Sequence, residues 1–251
     1  MGFKKDGSSH RDGITNEMNM QEQLSIHSDV LFGDSNVTIN HLGGTKNKAD
    51  LVATYPSGEL EKISVKRKKG LTNGSFDYIN TSKLDLFNNT FNDSIDVYNS
   101  GRKLGFRDEN LIEKLSETIT NELNNIDSNS LIEFLTKFVV EANSDMTMVI
   151  TDTQSNVIYK YSFTETPLVT MMENNYKPYI VKSNFKSKKI LFTNGEETID
   201  LGLRLRFHLN NGYGAWLGVN GKKTSNLVVK IQQDKIKKLV DSVENKKVVS
   251  Y

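Results

Sequence analysis

The sequence contains no cysteine. That removes disulfides, thiolate-built zinc sites and cysteine nucleophiles together, and it fits a reducing compartment. Proline is scarce, at three residues, and no proline-rich or glycine–serine linker divides the chain. Nowhere do about 18 apolar residues run together, so a membrane-spanning helix is not expected. The polar start MGFKKDGSSHRDG has no apolar stretch of signal-peptide length. On these grounds the protein is expected to be cytoplasmic, with no membrane partner. Walker loop, dinucleotide fingerprint, nucleophile elbow and zinc-ligand spacing are all missing. His10, His27, His41 and His208 are scattered without metal-ligand spacing, and none is assigned a catalytic role.

An excess of one charge is also lacking: 32 basic against 31 acidic side chains give +1. That sum by itself does not indicate a nucleic-acid partner. The distribution says more. Lys66, Arg67, Lys68 and Lys69 are consecutive, Arg204 and Arg206 are close, and lysines cluster at 186–189, 222–223 and 235–238. Acidic residues gather between Asp108 and Glu141. Segregation of this kind can give a nearly neutral protein a basic face. With 36% hydrophobic and 25% charged residues in 251, the chain reads as globular and long enough to bury a core.

Residues 1–12 read as a flexible tail and 13–251 as a single folded domain. A soft boundary near Asp145 separates a helical half from a strand-rich half. Gly13 to Ser28 is expected to form a short helix with Met18, Leu24 and Ile26 turned inward. Weak helicity covers Ser82 to Phe91. Helical spacing covers Glu109 to Leu123 and Ser130 to Ala142, the latter with Ser130 as N-cap. Strands are expected at 146–151, 157–163, 188–193, 198–209, 214–218 and 227–231, with a closing helix at 232–243.

The informative stretch is Gly43 to Ser82. Asp50 to Tyr55 and Leu60 to Arg67 are strand-like, and Pro56-Ser57-Gly58 between them is a strong turn signal, so the pair reads as a hairpin. Ile63 and Val65 alternate with Ser64 and Lys66. One face of the second strand therefore points to the core, while Ser64 and Lys66 share the other. A tight turn brings Asp50 and Lys66 side by side at one edge, where a loop rich in glycine and lysine leaves the sheet. A hard divalent cation needs oxygen ligands, which Asp50 and the Val65 carbonyl can supply. Lys66 can orient an attacking water and offset developing negative charge.

This layout resembles the PD-(D/E)XK, or restriction-endonuclease-like, nuclease superfamily, whose pattern is an acid, a hairpin of variable length, then (D/E)-X-K. Asp50 matches the first acid, Val65 the middle position and Lys66 the lysine, with Ala49 where proline often stands. Ser64 takes the place of the second acid, as in some type II restriction endonucleases in which a neighbouring helix contributes the carboxylate. For that role the resemblance leaves Asp77, Asp85, Glu22 and Glu17 open, with Asp77 favoured. It implies an α/β fold whose central mixed sheet includes the hairpin and is flanked by helices. It further implies a Mg2+-dependent DNA endonuclease (Mn2+ able to substitute), of restriction or phage and mobile-element type, and a homodimer for cutting both strands.

Other segments fit a DNA partner. Arg67, Lys68 and Lys69 continue from the lysine, and Asn80 lies in the polar run SFDYINTS. In TIDLGLRLRFHL, period two puts Arg204 and Arg206 on one strand face, suited to phosphates or guanine edges. Lys230 and Gln232 lie where a strand gives way to a helix. Trp216, the single tryptophan, is assigned to the core. The alternative is a DNA-binding or virion-type interaction protein of the same fold without catalysis, for which Ser64 is the best support.

Overall fold

A computed structural model describes residues 8–42, 49–68, 71, 121, 124–181, 187–208, 226–231 and 233–251. The expected helix 82–91, the strand 214–218 and nearly all of the helix 109–123 lie outside these residues. The chain divides into two compact units: Met1–Gly74, Val140–Thr170 and Gln233–Tyr251 form one, and Ser75–Val139 with Met171–Gln232 form the other.

In the first unit the hairpin forms as the turn residues dictate. β1 (Thr38–His41) is followed by β2 (Leu51–Thr54) and β3 (Leu60–Lys68). Gly58 N–H donates to Tyr55 O at 2.9 Å and Tyr55 N–H to Glu59 O at 2.9 Å. Gly58 adopts φ +86°, which L side chains avoid. The sheet continues through β4 (Met146–Asp152), β5 (Val157–Ser162) and β11 (Lys247–Ser250) in the order β1-β2-β3-β4-β5-β11. The β3–β4 pair is parallel and the other pairs are antiparallel, so the sheet is mixed. A parallel pair cannot close through a hairpin. Its connection, residues 69–145, carries residues 75–139 of the second unit.

Helices α1 (Ser8–Ile26) and α2 (Ser28–Phe32) belong to this unit. α1 packs against β1 and β3, and α2 against β11. The core on that face joins Met20, Leu24 and Leu31 to Ile39, Leu51, Ala53, Ile63, Val65, Val149, Ile158 and Val249. Gln21 Nε2 fastens the helix to Ile39 O at 2.8 Å. Two expectations are corrected. The helix reaches back to Ser8, into the presumed tail. Met18 and Ile26 are exposed at 58% and 62%, whereas Met20 and Leu24, one turn apart, are buried. The helix is polar almost all round, so its few apolar residues do not define a face by themselves. Leu24 is fully buried, and Leu24→Ala is expected to cost about 2–5 kcal/mol in chemical denaturation.

In the second unit, α3 (Ser128–Leu135) buries Leu131, Phe134 and Leu135 and runs into a π-helical segment, Thr136–Glu141. Its N-cap is Asp127 rather than Ser130: Oδ1 accepts from Asn129 N at 2.9 Å and Ser130 N at 3.0 Å. A carboxylate outcompetes a hydroxyl there, because it is charged and faces the positive end of the helix. In chain order, α4 (Pro167–Glu173) of the two units' junction in sequence precedes β6 (Lys177–Val181), β7 (Ser187–Thr193), β8 (Thr198–Ile199), β9 (Leu203–His208) and β10 (Asn226–Ile231). These strands form an antiparallel sheet ordered β10-β9-β7-β6, with β8 beside β7. α3 packs on β6. The strand expected at 198–209 is broken after Ile199. Asp200 Oδ1 accepts from Gly202 N at 2.7 Å, and Gly202 takes φ +76°, a local turn that interrupts the ladder. The helix α5 (Gln233–Ser242) that follows belongs to the first unit.

Candidate active site

Asp50 stands one residue before β2 and is held from both sides. Its N–H donates to Ile63 O at 2.8 Å, and its carbonyl accepts from Leu42 N at 3.1 Å. This backbone clamp aims the carboxylate at β3. Oδ2 accepts from Val65 N–H at 2.7 Å and from the Ser64 hydroxyl at 3.3 Å. Lys66 Nζ in turn donates to Ser64 Oγ at 2.9 Å. The expected convergence of Asp50 and Lys66 is therefore present, with Ser64 between them. Ser64 is buried at 5% exposure, and Asp50 and Lys66 are half-buried.

Strand geometry explains the arrangement. Ile63 and Val65 enter the core under α1, which forces Ser64 and Lys66 to the opposite face. The Val65 N–H lies beyond the last residue of β2 paired with β3, so no strand partner meets it. The Asp50 carboxylate takes that place through a short, charge-assisted bond. The N–H and C=O of one residue leave an extended strand on the same edge, so the Val65 carbonyl also faces this side. Among the described residues, Asp50 Oδ1 accepts no hydrogen bond. One carboxylate oxygen is thus anchored, and the other makes no hydrogen bond among the described residues.

The remaining candidates are placed as follows. Glu17 accepts from His41 Nε2 at 2.6 Å, with both side chains about a quarter exposed. His41 pairs with Leu51 in register, so this contact lies on the α1 face, opposite Ser64 and Lys66. Glu22 is exposed on α1. Among the described residues, no three or more His, Asp or Glu side chains gather as a metal-binding group. Asp77, Asp85, Lys69, Asn80 and Gln232 lie outside the described residues. Arg67 is exposed and Lys68 ends β3, opposite Thr151 and Asp152 on β4. Arg204 and Arg206 are alternate residues of β9, and Lys230 pairs with Arg204 from β10.

Sequence reasoning missed a second polar cluster in the first unit, built on Glu61. Its Oε1 receives Lys160 Nζ at 2.8 Å and the Thr147 hydroxyl, and its Oε2 receives the Tyr55 hydroxyl at 2.6 Å. Lys160 Nζ also sits 4.3 Å from the Phe32 ring centroid, a cation–π contact. Burial alone would raise the Glu61 pKa, but the bonds from Lys160, Thr147 and Tyr55 outweigh it and hold the carboxyl below its ordinary range. Burial, the bond to Glu61 and its negative charge push the Tyr55 hydroxyl strongly up. The signal was present in the sequence. Period two puts Glu61 on the core face with Ile63 and Val65, and a carboxylate on such a face calls for partners. These groups satisfy one another, which marks the cluster as structural.

The chain has no significant match to any protein-family model, curated protein or solved structure. Among the described residues no helix is long and apolar enough to cross a membrane.

Proposed function

We propose that the protein is a Mg2+-dependent DNA endonuclease that hydrolyses phosphodiester bonds at Asp50, Ser64, Val65 and Lys66. The observation that carries this reading is the anchoring of Asp50 through Oδ2 alone, with Lys66 held next to it by Ser64. The mixed sheet containing the hairpin agrees with the resemblance of the Asp50–Lys66 pattern to the PD-(D/E)XK superfamily.

The donor set fits a hard cation, being all oxygen: Asp50 Oδ1 and the Val65 carbonyl. Mg2+ keeps several waters, so few protein ligands suffice, and the remaining carboxylate falls to Asp77 or Asp85. When bound, the ion polarises the phosphate and acidifies a coordinated water. The protein's own part is positional and electrostatic. Val65 N–H and Ser64 fix the rotation of the Asp50 carboxylate. Ser64 Oγ accepts a hydrogen bond from Lys66 Nζ and holds the ammonium near the carboxylate without a direct ion pair. The ammonium then offsets charge that builds on the phosphoryl oxygens. DNA is the preferred substrate on the basic segments, and two copies of the chain would be needed to cut both strands in one event.

Lys66→Met tests the assignment. Cleavage of supercoiled DNA is expected to fall by about 10²–10³-fold, with Mn2+ affinity by calorimetry unchanged. Undiminished cleavage would remove Lys66 from the chemistry. A second reading, a DNA-binding protein without catalysis, draws on Ser64 in the acid position and on the single carboxylate at the described site. It expects DNA binding and no cleavage by the wild type.

A further inference from the structure

We infer that the sheet of the first unit has an open edge at β11, through which two copies of the chain pair as a homodimer. The sheet has two edge strands, β1 and β11. Along an antiparallel edge strand the backbone groups alternate, one residue turned to the neighbouring strand and the next turned away. Leu42 N–H reaches Asp50 O, so Asn40 and Thr38 also face β2, while Ile39 and His41 turn outward. That edge is guarded. α1 packs on β1, and Gln21 Nε2 occupies the outward Ile39 carbonyl at 2.8 Å. At the other edge Tyr251 N–H reaches Asn156 O at 3.0 Å, which turns Val249 and Lys247 to β5 and Val248 and Ser250 outward. Among the described residues, no strand and no backbone group meets Val248 or Ser250 on the outer side. Apolar side chains stand exposed beside this edge: Val248 at 46%, Tyr251 at 40%, and Val30 at 49% on α2, which packs on β11.

A second copy fits this edge in one register. A two-fold axis at Val249 sets Val248 opposite the partner's Ser250, and Ser250 opposite the partner's Val248. The outward groups of β11 then close in about four hydrogen bonds, and Val249 meets the partner's Val249 at the non-hydrogen-bonded position between them. Lys247, the one charged side chain of the strand, falls opposite the partner's Tyr251. An ammonium there meets an aromatic ring rather than another lysine, so the charge that would otherwise guard the edge forms no like-charge pair. An axis at Val248 is poorer, because it sets the Ser250 groups opposite Lys246, which lies before the strand begins. The use of such a dimer in cutting both strands rests on the nuclease reading. The edge itself stands on its own geometry.

The test is sedimentation equilibrium of the full chain, without DNA, over a series reaching high micromolar concentration. The wild type is expected to reach twice the mass of one chain. Val248→Lys is expected to weaken self-association about tenfold or more, because the two-fold axis repeats the change in both Val248–Ser250 pairs. Its thermal unfolding should stay near wild type, since the Val248 side chain is exposed. Val248→Thr, which keeps a β-branched side chain, is expected to retain the dimer. The absence of cysteine lets single introduced cysteines report the register. Val249→Cys is expected to give a covalent dimer on mild oxidation, because its Cα atoms lie about 4.5 Å apart across the axis, within the reach of a disulfide. Ser250→Cys, more exposed than Val249, is expected to give none, because about 8–9 Å separates the two copies there. A chain that stays monomeric throughout overturns the edge. So does a dimer that folded Val248→Lys leaves intact, or one that crosslinks at Ser250 and not at Val249. Plasmid cleavage in Mg2+ is read on the same preparations. Dimerisation through β11 without cleavage sinks the nuclease reading alone, and cleavage by a monomeric chain sinks the edge alone.

Discussion

Asp50→Asn is expected to lower Mg2+-dependent DNA cleavage by a factor on the order of 10³ and to leave the protein folded. The separation of these effects follows from the two carboxylate oxygens. One accepts from Val65 N–H and Ser64 Oγ, and the asparagine carbonyl oxygen can accept the same bonds. The other oxygen becomes an NH2 group, which repels a cation where a ligand is required. Mn2+ binding followed by calorimetry should disappear with cleavage, while thermal unfolding stays near wild type. Asp50→Ala makes the contrast. It removes the acceptor for Val65 N–H as well, and a buried donor left unpaired costs about 1–3 kcal/mol. Metal binding that survives Asp50→Asn would take Asp50 out of the metal site.

The largest effect on stability is expected at Glu61. Glu61→Ala strips the counter-ion from Lys160, whose side chain is only 12% exposed, and frees the Thr147 and Tyr55 hydroxyls from their acceptor. Breaking a largely buried pair from one side costs about 3–5 kcal/mol, and the residual exposure places this one near about 3 kcal/mol. Glu61→Gln with Lys160→Met should recover much of the loss, because no unpaired charge remains. The pH dependence has a definite sign. The folded-state pKa of Glu61 is lowered, so its contribution is fully present above the ordinary glutamate value of about 4.3. It is lost as pH falls through the lower folded-state value. Urea denaturation between neutral and acid pH should show that loss in the wild type and less of it in Glu61→Gln. Equal acid sensitivity in the two proteins would contradict this account of the cluster.

Local signals carried the hairpin and its site. Pro56-Ser57-Gly58 dictated the turn, and alternation at 63–66 sorted Ile63 and Val65 from Ser64 and Lys66. The same alternation held the Glu61 cluster, but its partners Thr147 and Lys160 reach it only through the β3–β4 and β4–β5 pairings. No local pattern encodes a parallel partner separated by the whole connection from 69 to 145. β1 was overlooked although Val37, Thr38 and Ile39 follow the turn-forming Asp34-Ser35-Asn36, because a run so short gives little periodicity. α1 misled in the opposite sense: with few apolar residues, its inward side was set by packing on β1 and β3. The break at Asp200 turned on a side-chain bond to Gly202 N–H that alternation in TIDLGLRLRFHL concealed. That Arg204 pairs with both Lys189 and Lys230 required the register of three strands, whereas the sequence offered these residues only as separate clusters.

The most direct test of the central claim is the conversion of supercoiled plasmid to nicked or linear DNA by the purified chain, with Mg2+ and then with EDTA. Cleavage that needs Mg2+ or Mn2+, stops in EDTA and fails in Asp50→Asn is the result expected of the Asp50–Ser64–Lys66 site. A folded protein that leaves several DNAs intact with either metal would contradict it.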